Sequence, residues 1–162
     1  MTFVLDASTL INLANGGVLA VVLSLPDARF LISSVVRRES KSIARAIDAA
    51  VASGRLGLID DQVIPSTLFT QTKARLKLDE GETECILAAG SIGCCIGCDD
   101  GNARNKATQE LGGSRVVGSI RLLQMARQAG LLSRQQAEDG YGLMIKRGGF
   151  LPATSISQRA SP

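Results

Sequence analysis

Short apolar runs alternate with longer amphipathic segments along this chain. The apolar runs that predict buried strands cover residues 2–5, 29–33, 56–59, 94–98 and 115–118. Strand patterns that alternate with helix patterns are typical of βαβ units, in which helices cover a parallel sheet. The pattern therefore predicts an α/β fold with a central, mostly parallel sheet.

The segments between these runs predict helices, and glycine or proline marks most of their ends. The predicted helices cover residues 8–14, 18–25, 39–53, 66–76, 79–90, 102–111, 119–128 and 133–146. Ser133 and Gln136 have the spacing of a capping box, which favours the start of the last helix. We expect one domain over residues 1–152 and a disordered, Ser-rich tail over 153–162.

Acidic residues stand where the predicted strands end or the helices begin. These residues are Asp6, Glu39, Glu84, Asp99 and Asp100. In open α/β sheets, ligands bind outside the carboxyl ends of the strands. Carboxylates gathered at that edge repel one another unless a cation lies between them, and Mg²⁺ or Mn²⁺ suits such oxygen ligands. The pattern therefore predicts a metal-dependent phosphodiesterase.

Each of these acids also has an ordinary structural interpretation. Asp6 is suited to cap a helix, and Glu39 to a solvated helix face beside Arg37 and Arg38. Acids in the first turn of a helix complement its dipole, which is an alternative for Glu84. The Asp-Asp-Gly-Asn segment at 99–102 is rich in turn residues.

The absence of histidine restricts the chemistry of the chain. None of the 162 residues is His, which excludes Ser-His-Asp and Cys-His catalysis in their usual forms and His-ligated zinc. The spacing of Cys94, Cys95 and Cys98 resembles a zinc or redox motif, but these residues and Cys85 lie in apolar sequence. We therefore expect all four cysteines to pack in the core, in a reducing compartment.

Net charge and hydropathy indicate which partners and which cellular compartment to expect. The net charge is +3, which is compatible with nucleic acid but does not require it. No apolar run reaches the length of a membrane-spanning helix, and the first residues lack the features of a signal peptide. We expect a cytoplasmic protein with no membrane partner.

Several stretches of the chain, taken in their order along the sequence, resemble those of a PIN domain. The matching stretches are residues 4–11, 36–39, 81–88, 98–104 and 117–132. Over residues 2–152 the chain is similar to small bacterial PIN proteins akin to the VapC-type toxins. The resemblance implies a three-layer α/β/α fold and a site of three or four acids that binds Mg²⁺ or Mn²⁺ and cleaves single-stranded RNA.

The resemblance also assigns roles by position. Asp6, Glu39 and Glu84 resemble the first three acids of the family, and the fourth falls at Asp99 or Asp100. The implied catalytic residues are Asp6, Glu39, Glu84, Asp99 and Asp100, and the implied metal ligands are Asp6, Glu84, Asp99 and Asp100. Many members carry Thr or Ser shortly before the last acid, where this chain has Cys98 or Asp99.

The implied substrate contacts come from Ser8 and from basic residues near the acids. Ser8 would orient water or substrate, and Arg37, Arg38 and Arg104 would hold the RNA backbone without reading its sequence. The implied partners are single-stranded RNA, a small antitoxin protein and a second copy of the chain in a homodimer.

Two other functional classes remain open at this point. The family includes catalytically inactive members that act in protein interactions, so an inactive PIN-fold interaction protein is an alternative. An aspartyl phosphotransferase would also place Asp at the end of the first strand. That class typically has a second Asp two residues later, where this chain has Ser8.

Overall fold

Five parallel strands form the centre of the fold. They are β1 (Thr2–Leu5), β2 (Arg29–Ile32), β3 (Leu56–Leu58), β4 (Cys95–Gly97) and β5 (Val116–Val117). Their order across the sheet is β3-β2-β1-β4-β5, and every neighbouring pair is parallel. The central strand is buried on both faces, because Phe3, Val4 and Leu5 are all inaccessible to solvent. This confirms the predicted α/β fold with a parallel sheet.

The computed structural model describes residues 1–149 and 151, so the tail predicted to be disordered, 153–162, lies outside the described residues. The helices within the described part of the chain are α1 (Ala7–Asn15), α2 (Leu19–Val22), α3 (Ser34–Glu39), α4 (Ala44–Ala52), α5 (Ser66–Leu76), α6 (Glu80–Ile92), α7 (Gly101–Leu111), α8 (Ser119–Gln128) and α9 (Arg134–Lys146).

The helices form one layer on each face of the sheet. Crossovers between parallel strands are right-handed. The connections β1–β2 and β2–β3 run in one direction across the sheet, and the connections β3–β4 and β4–β5 run in the other, so their helices lie on opposite faces of the sheet. In one layer α6 packs on β1 and β4 and lies between α5 and α7. In the other, α9 packs on α1 and α8 contacts α2. The result is the expected three-layer α/β/α arrangement.

Three predicted helices have wrong bounds. The helix predicted over 18–25 is only α2, Leu19–Val22. The predicted helix 39–53 is instead α3, a 3₁₀ turn over Lys41–Ile43, and α4. The hydroxyl oxygen of Ser33 accepts a hydrogen bond from the Val36 N–H at 3.1 Å, so a helix begins before Glu39 and ends at it. The helix predicted to stop at Gly90 continues to Ile92, since the left-handed residue that ends it is Gly93 with φ of 75°.

The topology creates a crevice between β1 and β4. The chain passes from β1 to β2 and β3 on one side of β1 and then crosses to β4 on its other side. The connections therefore diverge between β1 and β4. The two strands are locked in register, and the Asp6 N–H donates to the Gly97 carbonyl at 2.9 Å. The acids that follow β1 and β4 are therefore neighbours. No helix within residues 1–149 is long and apolar enough to cross a membrane.

Candidate active site

Asp6 is a buried carboxylate at the end of β1 and the start of α1. Its side chain is 2% exposed and caps α1, with Oδ1 accepting from the Thr9 N–H at 2.9 Å. Burial raises the pKa of Asp6 to about 6, and hydrogen bonds from Cys98, Thr9 and Ser8 only partly oppose this shift. The nearby charge of Asp99 raises it further. Asp6 is thus a destabilised anion at the carboxyl edge of the sheet.

Ser8 joins the two strand ends. Its hydroxyl donates to both carboxylate oxygens of Asp6, at 2.9 and 3.0 Å, and accepts from the backbone N–H groups of Asp99 at 3.0 Å and Asp100 at 3.2 Å. A serine hydroxyl has one hydrogen and two lone pairs, so these contacts use its full capacity. This geometry favours a positioning role for Ser8 over the expected contact with substrate.

The Asp99 carboxylate, which follows β4, is hydrogen-bonded to residues of α1 and α8. Its Oδ1 accepts from the Ser119 N–H at 2.9 Å, and its Oδ2 accepts from the Asn12 side-chain amide at 2.9 Å and from the Ser119 hydroxyl. The negative carboxylate also lies at the positive end of α8. Three of its acceptor positions are therefore occupied by the protein itself.

Asp100 is the more accessible of the two adjacent acids. It is exposed, and its Oδ1 caps α7 by accepting from the Ala103 N–H at 2.9 Å. Among the described residues this is one side-chain hydrogen bond, against three for Asp99. Asp100 therefore retains acceptor capacity that Asp99 has used.

The first turn of α6 also places Glu82, which was not among the predicted site residues, near the crevice. The pKa of half-buried Glu82 is raised by burial first and then by the charges of Asp100, Asp79 and Asp6. Glu82 thus lies within electrostatic reach of the ends of both β1 and β4. It also completes a capping box, because its Oε2 accepts from the Asp79 N–H at 3.1 Å.

Burial raises the pKa of the Cys85 thiol, and the charges of Asp6 and Glu84 add to that shift, so the predicted ligand Glu84 lies near the same buried thiol as Asp6. Two residues along a helix are about 200° apart around its axis, so Glu82 and Glu84 lie on nearly opposite sides of α6. Cys85, three residues after Glu82 and on its side of the helix, donates its thiol to the Leu5 carbonyl at 3.6 Å. Within the described residues, the buried Oε2 of Glu84 has no hydrogen-bond partner. Glu82 and Glu84 of α6 are therefore both candidate ligands.

Glu39 reaches the same edge from the end of α3. Its carboxylate accepts a hydrogen bond from the backbone N–H of Gly81 in the first turn of α6. Burial raises the pKa of Glu39, and the charges of Asp79 and Glu80 add to that shift. Glu39 therefore lies beside the first turn of α6, which also carries Glu82.

The predicted RNA-contacting arginines have different surroundings. Arg37 pairs with Asp48, with 2.6 Å between Nη2 and Oδ1, in an exposed ion pair of little energetic value. Arg38 is exposed, and its positive charge acts on both Glu39 and Glu80. Arg38 is therefore the better placed of the two to meet a phosphate near the acids.

Arg104 has a structural role at the ends of β4 and β5. Its Nη1 donates to the carbonyls of Cys98 at 2.7 Å and Val117 at 2.8 Å. These bonds use both hydrogens of Nη1 and leave those of Nη2 and Nε for other contacts. As predicted for core packing, Cys85, Cys94 and Cys98 are buried free thiols, whereas Cys95 is half-buried.

The donor set matches a hard divalent cation in chemistry. Asp6, Glu82 and Asp100 offer carboxylate oxygens, and the shifts at Asp6 and Glu82 reflect burial and like charge that a cation would offset. Among the described residues, no three His, Cys, Asp or Glu side chains already form a metal-binding group. The carboxylates thus influence one another electrostatically, but the described residues contain no preformed set of metal ligands.

Comparison with known proteins identifies the family of the chain. The family model described as the PIN domain matches residues 2–161, nearly the whole chain. No curated protein and no solved structure matches the chain significantly. PIN domains are generally nucleases, and an acidic crevice at the carboxyl edge of a parallel sheet agrees with that activity.

Proposed function

This chain belongs to the PIN domain family, and from that premise we propose that it is a metal-dependent endoribonuclease that cleaves single-stranded RNA. The observation that carries the proposal is the set of hydrogen bonds made by the Ser8 hydroxyl, which joins the Asp6 carboxylate to the backbone N–H groups of Asp99 and Asp100 and so places the acids after β1 and β4 side by side. Acids from α6, β1 and β4 repel one another there, so a cation and a bound phosphate would complete the charge balance.

The proposed cation is Mg²⁺ or Mn²⁺, held by Asp6, Glu82 and Asp100, with Glu39 at the margin. When bound, it supplies Lewis-acid stabilisation of charge on the scissile phosphate. Ser8 orients the Asp6 carboxylate and couples it to the backbone of the loop that carries Asp100. Arg38 is available to contact the phosphate backbone, because Arg37 is already paired with Asp48. Glu84 is the alternative third ligand that the family resemblance implied.

The proposed biological role is that of a cytoplasmic toxin in a toxin–antitoxin pair, acting as a homodimer. The support is the resemblance to small bacterial PIN proteins of the VapC type. Expression of the chain should arrest growth, and co-expression of a small protein encoded beside it should restore growth. Growth arrest that persists in the Asp100→Asn variant would contradict a toxin that acts by cleaving RNA.

A catalytically inactive PIN-fold interaction protein is the second candidate. It is favoured by the absence of a preformed group of three ligands among the described residues and by the three hydrogen bonds that engage Asp99. An inactive protein would bind Mn²⁺ weakly or not at all, so metal binding separates the two candidates.

The deciding experiment is cleavage of a mixed pool of single-stranded RNA by purified protein. Cleavage should require Mg²⁺ or Mn²⁺, stop with EDTA and be lost in Asp100→Asn. Asp139→Asn, an exposed acid on α9, is the matched control and should retain activity. Cleavage that survives EDTA, or equal activity in Asp100→Asn and Asp139→Asn, would refute the proposed mechanism.

A further inference from the structure

A cavity opens at the carboxyl end of β5, and Asp99 is part of its lining. Its volume is about 560 Å³, and it lies between the start of α7, the end of β5 and the first turns of α8. Val117 and Ile120 contribute apolar wall, whereas Arg104, Arg121 and Gln124 contribute polar groups. A cavity of this size, with apolar walls and few polar groups, is typical of sites for small molecules or single residues of a polymer.

Gln124 is the unusual polar group of this cavity. The residue is 7% exposed, and its Nε2 has no hydrogen-bond partner among the described residues. Buried side-chain donors generally have partners, because an unpaired one loses its hydration without compensation. An acceptor atom on a ligand in the cavity would supply the missing partner.

The other polar groups of the cavity also favour a ligand rich in acceptors. Arg104 uses Nη1 on two backbone carbonyls, which leaves the hydrogens of Nη2 and Nε. Arg121 is exposed at the rim. Asp99 also lines the cavity, but both of its oxygens are engaged by Asn12 and Ser119. The cavity therefore offers donors and positive charge to its occupant.

We propose that this cavity binds one nucleotide of the RNA strand, beside the phosphate that is cleaved. The base lies between Val117 and Ile120, and one of its carbonyl or ring-nitrogen acceptors receives the Nε2–H of Gln124. The phosphate of that nucleotide meets Arg121. The cavity shares Asp99 with the edge that carries the acids, so a strand in the crevice reaches it without a long connection. This inference rests on the proposed ribonuclease function and adds to it a site that selects a base.

The test measures binding of the four ribonucleoside 5′-monophosphates by calorimetry in EDTA, where no cleavage takes place. The wild-type protein should bind at least one nucleotide in preference to the others. Gln124→Met keeps the length of the side chain and removes its hydrogen bond, so it should weaken the preferred nucleotide by about fivefold or more. Arg121→Gln should weaken all four similarly, and Gln128→Met, on the exposed end of α8, should change nothing.

The outcomes separate this inference from the proposed function. If no nucleotide binds, or if Gln124→Met and Gln128→Met bind alike, the cavity is not a nucleotide site, whether or not RNA is cleaved. The same conclusion follows if Gln124→Met cleaves RNA with an unchanged base preference. If nucleotides bind as expected but RNA is never cleaved, the ribonuclease proposal fails and the binding site stands. Arg121→Gln alters an exposed residue, so it gives a result even if Gln124→Met does not fold.

Discussion

The carboxylate of Glu39 lies against the backbone of Gly81, where only a glycine leaves room for it. It accepts the Gly81 N–H, and a Cβ built on Gly81 would lie 3.0 Å from Cδ and 3.2 Å from Oε1 of Glu39. This contact holds the end of α3 against the first turn of α6. Two acids that are far apart in sequence, Glu39 and Glu82, are brought to one edge by this contact.

Replacing Gly81 with alanine should therefore expel Glu39 from its place. The exposed Glu39 side chain can swing away, and alanine favours a helix over glycine by about 1 kcal/mol, so the free energy of unfolding should stay level or rise. RNA cleavage should fall. Gly90→Ala in the same helix is the control, because its Cβ would meet only Leu111 at an ordinary 3.6 Å. Urea unfolding and a cleavage assay check both variants, and equal activity in the two would contradict a role for Glu39.

Glu82→Gln and Glu84→Gln should differ in metal binding. Glu82 is coupled to Asp6 and Asp100, whereas Glu84 lies on nearly the opposite side of α6. A ligand at 100 times its Kd stabilises the folded state by about 2.7 kcal/mol. The stabilisation of the folded state by Mn²⁺ should be smaller in Glu82→Gln, because its metal affinity should be at least about tenfold weaker. The stabilisation should persist in Glu84→Gln. Melting curves with and without Mn²⁺ measure it. The reverse order would assign the third ligand to Glu84.

Asp99→Asn and Asp100→Asn should separate stability from activity. An amide in place of Oδ2 of Asp99 would face the Asn12 amide, donor against donor, so unfolding should cost about 1–3 kcal/mol less. Asparagine caps a helix as well as aspartate, so Asp100→Asn should keep its stability and lose RNA cleavage. Urea denaturation and the cleavage assay decide the matter. A strongly destabilised Asp100→Asn, or a fully stable Asp99→Asn, would reverse these roles.

Asp6→Asn should change how stability depends on pH in metal-free buffer. The pKa of Asp6 rises from 3.8 to about 6 on folding, so the folded state holds this proton more tightly than the unfolded state. Protonation of Asp6 therefore stabilises the folded state fully below about pH 4. This stabilisation of about 3 kcal/mol is lost as the pH rises through about 6. The stability of Asp6→Asn relative to wild type should therefore increase between pH 4 and 7.5.

Urea unfolding in EDTA at several pH values checks this expectation. Asp139→Asn, which alters an exposed acid, should follow the wild-type profile. A constant offset between Asp6→Asn and wild type across that range would mean that burial does not raise the pKa of Asp6.

The strands and most helix ends were predictable because local chemistry determines them. β1 was predicted with its observed bounds, Thr2–Leu5, and α8 with its observed bounds, Ser119–Gln128. The capping box at Ser133 also forms as predicted. In these segments the apolar pattern and the turn residues favour the same structure, so tertiary packing did not change the outcome.

The errors arose where a local signal had two meanings. The Val35-Val36 pair follows a strand and has β-branched side chains, so the start of α3 at Ser34 was not apparent. The sequence also did not indicate Glu82, because its place near the ends of β1 and β4 depends on which face of α6 meets β1. The hydrogen bonds of Asp99 join residues 87 and 20 positions apart, which no local pattern indicates.

The strand order also has a consequence for synthesis of the protein on the ribosome. β1 pairs with β2, but its other neighbour is β4, so the crevice forms only after the segment around residue 100 has been made. Asp100 must then reach Ser8 across 92 positions of sequence. A growing or prematurely ended chain that lacks β4 carries Asp6, Glu39 and Glu82 without the crevice. Under the proposed ribonuclease function, such a fragment lacks part of the site and should not cleave RNA, including the message from which it is translated.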